Sequence, residues 1–223
     1  MSSRVALTKM HGAHNDFVIV DRRTANVGEL ASFARRVCDR RAGIGADGLI
    51  AIETSRSRDV AVRTINADGS EAEMCGNGVR CAARWLEEAG EGDRIAFETA
   101  AGNVETEVVA RRPEYLVRVS MAAPRITSTQ AAPDAFLVDL GNPHLVLFRD
   151  AVEEADLDVL APQLQTNSAF ERGVNVHVAA VDDAHRLHVR HWERGVGATP
   201  ACGTGAVAAA ASAIQSGRAK SPV

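Results

Sequence analysis

Cys75-Gly76-Asn77-Gly78 and Cys202-Gly203-Thr204-Gly205 each open a Cys-Gly-Xaa-Gly turn that runs into an alanine-rich apolar stretch, and they lie 127 positions apart. The same interval separates Asn15 from Asn142, Asn66 from Glu193 and Gly48 from Asn175, all beside apolar β-type runs. The alternating run 59–65 (DVAVRTI) falls on 186–192 (RLHVRHW), and 78–89 falls on 205–216. Four blocks in one register indicate an internal duplication, with two copies of one β/α unit. Duplicated units commonly pack about a pseudo-two-fold axis, so that equivalent residues face each other across the intervening cleft. That arrangement would set two thiols on opposite sides of one bound molecule.

Around these turns the sequence predicts strands at 5–9, 17–21, 49–53, 59–65, 95–99, 103–109 and 115–121, interrupted by helices near 29–41 and 77–88. The second copy repeats the order, with strands at 136–140, 144–148, 174–180 and 186–192 and helices near 153–163 and 204–215. Runs of strands with one long helix per copy predict an α+β fold of two pseudo-symmetric halves. Each half is a curled, mostly antiparallel sheet around a central helix, and the active site lies in the cleft between them. The expected units are 1–122 and 123–223, and the Pro-, Ser-, Thr- and Ala-rich segment 122–133 reads as the linker. The first copy continues after its helix through three strands over 94–121, whereas the chain ends at Val223 as the second helix ends. The second unit is therefore read as truncated.

A chain of 223 residues, 46% apolar, can bury a sizeable core. A formal charge of −4 and the lack of a basic run exclude nucleic acid and anionic membrane surfaces as main partners, which leaves a small molecule. The apolar run 206–214 is too short and too alanine-rich to span a bilayer, and no secretory leader pattern precedes the first strand. With cysteines at 38, 75, 81 and 202, this points to a cytoplasmic protein with free thiols rather than a disulfide scaffold.

Glycines at a helix entrance allow close backbone approach, and the free N–H groups of the first turn form an anion site. The same dipole favours thiolate over thiol, so a cysteine there is expected to have its pKa lowered from about 8.5 toward neutrality. A lone cysteine is usually just a small buried apolar residue, but a pair repeated in register is better explained by chemistry. Inversion of an α-amino-acid centre needs two bases on opposite faces of one carbon, whereas a hydrolase needs one nucleophile. Charge spreading into the α-carboxylate would be met by the helix N–H groups, so no pyridoxal cofactor is required, and Lys9 and Lys220 lie in no motif. Cys38 and Cys81 read as packing residues, and Cys75 with Cys81 lacks the spacing of a metal knuckle, so no metal is expected. The acidic run 153–158 reads as a solvated helix start.

The blocks 10–17 (MHGAHNDF), 43–48 (GIGADG), 66–78 (NADGSEAEMCGNG), 141–144 (GNPH), 173–175 (GVN), 192–197 (WERGVG) and 202–205 (CGTG) together resemble diaminopimelate epimerase across essentially the whole chain. Proline racemases and phenazine-pathway isomerases share that fold. The resemblance implies cofactor-independent interconversion of LL- and meso-diaminopimelate in lysine and cell-wall synthesis, with Cys75 and Cys202 as the acid/base thiols. It also implies that Gly76, Asn77, Gly203 and Thr204 offer backbone N–H groups to the reacting carboxylate. Asn15, Gly48, Asn66, Asn142, Asn175, Glu193 and Arg194 line the substrate, and His144 and Glu193 sit beside the thiols and tune them. The chemistry agrees, since arginine grips a carboxylate bidentately and asparagine both donates and accepts; singly, Asn and Gly beside strands are ordinary turn residues.

His14 stands where the family usually has glycine, Ala198 where an acidic residue is common, and members continue for several strands past the position of Val223. Two other readings stay open: a racemase of another amino acid on the same fold, and a non-catalytic amino-acid-binding truncated form. The partner is a small amino-acid substrate in each case, and a homodimer is compatible with the sequence.

Overall fold

The structure, a computed structural model, describes residues 4–129, 134–170 and 173–223, without the side chain of Glu154. Its contacts divide the chain into two units, Met1–Met121 and Ala122–Val223. The first contains β1 (Thr8–Gly12), β2 (Asn15–Asp21), α1 (Leu30–Cys38), β3 (Gly48–Glu53), β4 (Val60–Asn66), β5 (Glu71–Ala72), α2 (Gly76–Glu88), β6 (Arg94–Thr99), β7 (Gly102–Ala110) and β8 (Leu116–Val119). The strands form one sheet in the order β1-β2-β3-β4-β6-β7-β8, with β5 on β4. Only β2/β3 and β4/β6 among these pairs are parallel.

Two helices bury the two faces of this sheet, which explains why its central strands read as continuous apolar runs rather than alternating ones. Phe17, Ile19, Ile50 and Ile52 pack with Val79, Ala82, Ala83 and Leu86 of α2. Their neighbours Val18, Val20, Leu49 and Ala51 point the other way, onto Leu30, Phe33, Ala34 and Val37 of α1. The sheet curls about α2, which touches β1 to β4 and also β7 and β8. Trp85 of α2 donates its indole N–H to Thr8 Oγ1 at 3.1 Å and so ties the helix to the first strand.

The second unit contains β9 (Arg125–Ser128), β10 (Ala135–Asp139), β11 (Pro143–Phe148), a 3-10 turn (Val152–Glu154), α3 (Leu157–Gln165), β12 (Asn175–Asp183), β13 (Arg186–Glu193), β14 (Gly197–Thr199) and α4 (Gly203–Gln215). Its sheet runs β14-β13-β12-β11-β10-β9, with only β11/β12 parallel. The duplication holds at the level of register. Phe17 pairs with Gly48 and Leu49 with Ile65 in the first unit; His144 pairs with Asn175 and Val176 with Trp192 in the second, each 127 positions on. Ala208, Ala209 and Ala213 of α4 pack on Val146, Phe148 and Ala179, while α3 covers the opposite face through Leu157, Ala161 and Leu164.

The α+β architecture of two similar curled sheets, each with its helix, is as the sequence predicts, and several element boundaries are corrected. The first strand lies at Thr8–Gly12 rather than 5–9, because Ala13 and His14 both take positive φ (51° and 66°) and form a two-residue hairpin turn onto β2. A positive φ at His14 also explains why glycine suits that position. Helix α1 ends at Cys38, since Asp39 leaves the helix and its carboxylate takes the N–H groups of Arg41 and Ala42. The third helix begins at Leu157 rather than 153, after the separate 3-10 turn. The expected linker holds a strand, β9, paired with β10 and packed through Ile126 on the α4 side; residues 130–133 of that segment lie outside the described residues.

Leu86 is fully buried under the curl of the first sheet, so Leu86→Ala should cost about 2–5 kcal/mol, while Val159→Ala, 54% exposed, should stay within about 0.5 kcal/mol. Urea unfolding read by tryptophan fluorescence checks both.

Candidate active site

Helix α2 begins with cysteine as its N-cap. Cys75 is extended (φ −134°), and its Sγ accepts the N–H of Gly78 at 3.4 Å. Gly76 and Asn77 open the first turn of the helix. Cys75 Sγ–H points to Asn15 Oδ1 at 3.9 Å, and that oxygen also accepts from Asn77 Nδ2 at 3.5 Å. Asn15 is aimed by Asp47, whose Oδ2 accepts its amide N–H at 2.7 Å and the Asp16 N–H at 3.0 Å. Arg40 bridges Asp16 and Asp47 at 2.8 and 2.7 Å, and Lys9 reaches Asp16 at 3.1 Å. Burial alone would raise the Asp16 carboxyl, but hydrogen bonds from Arg40, Lys9 and the Asp47 N–H hold it well below the usual carboxylate range. Arg80 donates to Asn77 Oδ1 and fixes the amide on its other side.

Helix α4 repeats the motif. Cys202 is its N-cap, and Sγ accepts the N–H of Gly205 at 3.4 Å with Thr204 Oγ1 at 3.5 Å. Here the thiol is sealed, at 5% exposure. Burial pushes its pKa up to about 12, the negative Glu193 adds to the rise, and the hydrogen bonds from Thr204 and Gly205 only partly oppose it. The expectation that the helix end lowers this pKa is therefore corrected: desolvation and a neighbouring carboxylate outweigh the dipole. Glu193 is itself held by the Thr199 hydroxyl at 2.7 Å.

The other predicted residues divide by what they touch. Asn175 spends its amide on the backbone, accepting from Arg194 N–H at 2.9 Å and donating to Pro143 O at 3.1 Å. Arg194 runs across Gly173, where an added Cβ would lie 2.8 Å from its Cδ. Asn66 donates to Ser70 Oγ at 2.9 Å within the β4–β5 turn. Gly48 is explained by backbone crowding, because a Cβ there would lie 2.9 Å from the Ile65 carbonyl. Cys38 and Cys81 are buried and their thiols are raised to about 11, first by desolvation, in keeping with packing roles.

His144 is fully buried with both ring nitrogens engaged: Nε2 with Asn142 Oδ1 at 2.8 Å, and Nδ1 with His177 Nε2 at 2.9 Å. His177 continues to His191 Nδ1 at 2.9 Å. Sequence reasoning missed His177 and His191, and likewise Asp47, Arg40 and Thr199; the available signal for the histidines was the 127-residue interval, which places them on Ile50 and Thr64, themselves paired neighbours. Desolvation lowers His144 to about 3 and His191 to about 4, and His177 well below its usual range. The unfolded rings take up protons near pH 6.5 and the folded ones do not, so stability present above that pH is lost progressively as pH falls toward 4. His191 alone accounts for roughly 3 kcal/mol at 1.36 kcal/mol per pKa unit. The urea midpoint followed through Trp192 should drop across this window.

The family model for diaminopimelate epimerase matches residues 7–127 and 136–223. Relatives named diaminopimelate epimerase include those of Sphingopyxis alaskensis, 42% identical over 97% of this chain and 84% of its own length, and of Rhizorhabdus wittichii, 41% identical over 99% and 84%. Among solved structures, a probable proline racemase from Agrobacterium radiobacter superposes with a TM-score of 0.73 at 17% identity, covering 99% of this chain and 80% of its own. A phenazine biosynthesis protein of Bacillus anthracis gives 0.72 at 16%, covering 94% and 80%. These distant structures support the fold, and the close relatives decide the rest: the chain belongs to the diaminopimelate epimerase family, whose members are isomerases acting on amino acids.

Proposed function

We propose that this chain interconverts LL- and meso-diaminopimelate without a cofactor, in the cytoplasm, with Cys75 and Cys202 serving opposite faces of one α-carbon. The observation that carries the reading is the repeated helix entrance: in each unit a cysteine caps the helix and accepts the N–H three residues on. One thiolate removes the α-proton and the other thiol delivers a proton from behind. The charge that develops spreads into the α-carboxylate and is met by the first-turn N–H groups of Gly76 and Asn77 and of Gly203 and Thr204.

Cys202 rests as the thiol, because its surroundings hold its pKa near 12. It is therefore the proton donor of the resting protein, and Glu193, the carboxylate beside it, is the group that takes its proton when it must act as base. Arg194 supplies the fork for the distal carboxylate of the substrate. Asn15 positions the Cys75 thiol, being itself fixed by Asp47.

Cys75→Ala and Cys202→Ala should each cut epimerisation by at least about 10²-fold, the lower end of what a positioned acid or base contributes. Cys38→Ala and Cys81→Ala should stay within a few-fold of the parent. Deuterium incorporation at the α-carbon in D2O, followed from each stereoisomer, measures this, and substantial inversion by either of the first two variants would sink the two-thiol mechanism. Glu193→Gln removes the charge that helps raise Cys202, so the pH at which Cys202 alkylates should fall even as turnover drops about 10²–10⁴-fold. Peptide-resolved alkylation across pH reads the first effect, and an unchanged profile would remove Glu193 from the thiol.

A further inference from the structure

His144, His177 and His191 lie on three adjacent strands, β11, β12 and β13, all under 10% exposed. His177 and His191 are directly paired across the sheet. The equivalent positions in the first unit, 127 residues earlier, hold Phe17, Ile50 and Thr64, and Ile50 and Thr64 lie, with Cys75 Sγ, nearest the Cβ position of Gly78. In the second unit that contact is made by His177, whose ring comes within 2.4 Å of the Cβ position of Gly205. The same architecture is thus built in one unit with largely apolar side chains and in the other with three imidazoles. Burying a polar ring costs free energy unless its nitrogens are bonded, so the row is not explained by packing.

The bonds fix the protons. Asn142 Oδ1 accepts, so His144 carries its proton on Nε2 and, being neutral, offers Nδ1 as an acceptor. His177 must then donate Nε2–H to it, and its own Nδ1 must accept Nδ1–H from His191. The chain has one direction, and its last donor, His144, occupies the carbonyl oxygen of Asn142. Among the described residues no acceptor takes the Asn142 amide N–H groups, while its Oδ1 is engaged by His144.

We propose that His177 and His191 are positioning residues: they lock His144 as an Nε2–H donor and so turn Asn142 into an obligate N–H donor for a carboxylate oxygen of the substrate. An unlocked Asn142 amide could rotate and present its carbonyl to the same oxygen, replacing an attraction by a repulsion. The substrate half of this inference rests on the proposed function; the histidine half does not.

The test uses the full chain with 15N-labelled histidine, and long-range 1H–15N spectra of the free protein at pH 7 read the ring tautomers. The expected pattern is Nε2–H for His144 and His177 and Nδ1–H for His191. His191→Leu removes the first donor and should give mixed tautomers at His144, with KM for diaminopimelate raised about tenfold and kcat changed less. His191→Asn places an amide N–H near the lost Nδ1–H and should restore both. His144 protonated on Nδ1, or cationic at pH 7, overturns the relay, as does a folded His191→Leu protein with wild-type tautomers. Mixed tautomers with an unchanged KM overturn Asn142 as a substrate donor while leaving the relay in place. If His191→Leu fails to fold, the spectrum of the parent and the KM of His191→Asn still decide.

Discussion

Everything in each unit converges on one backbone N–H meeting one sulfur at 3.4 Å: Gly78 to Cys75, and Gly205 to Cys202. Sulfur is a weak acceptor, and Ser, Asp or Asn at an N-cap would stabilise the helix more, by an amount on the order of 1 kcal/mol. The chain forgoes that stabilisation at both long helices and recovers it in the curl of apolar strands around them. The glycine three residues past each cysteine is part of the same constraint. It is the point where the first helical turn presses on the central strands, leaving 3.4 Å to Ile50 from the Gly78 Cβ position and less than that to His177 from Gly205.

Duplication supplies the frame, and divergence within it separates the two thiols chemically. Cys75 is half-buried and looks onto an amide oxygen, Asn15 Oδ1. Cys202 is sealed and faces a carboxylate. Asn66 becomes Glu193 across the repeat interval, so the group that raises the second thiol replaces an amide that carries no charge. The proposed two-thiol inversion would need its acid/base groups in opposite protonation states at the start of each turnover, and unlike surroundings on a common scaffold are a direct way to bias two thiols apart.

The fold was legible because its signals are local and doubled: buried runs such as 49–53 flanked by turns, and the repeat interval, which fixes which strand follows which. The segment around β9 was missed because Pro, Ser and Thr dominate it, and only pairing with β10 makes it a strand. The thiols themselves were visible in sequence, since glycine on either side of a residue is a strong helix-entrance signal. Their acidities were not. The rise at Cys202 depends on a burial and a carboxylate that strand register brings near it, and a helix dipole considered alone gives the wrong sign.

The asparagines make the same point at finer grain. In sequence Asn15, Asn142 and Asn175 are alike, each beside a strand and each a plausible partner for a zwitterion. In the structure Asn15 donates to Asp47 and turns its oxygen to Cys75. Asn175 holds Arg194 N–H and Pro143 O and braces the backbone on which the arginine is mounted. Asn142 alone of the three has its oxygen occupied by a buried imidazole and, among the described residues, no acceptor for its N–H groups. Residue type states what an amide can do, and its neighbours decide which end remains free to do it.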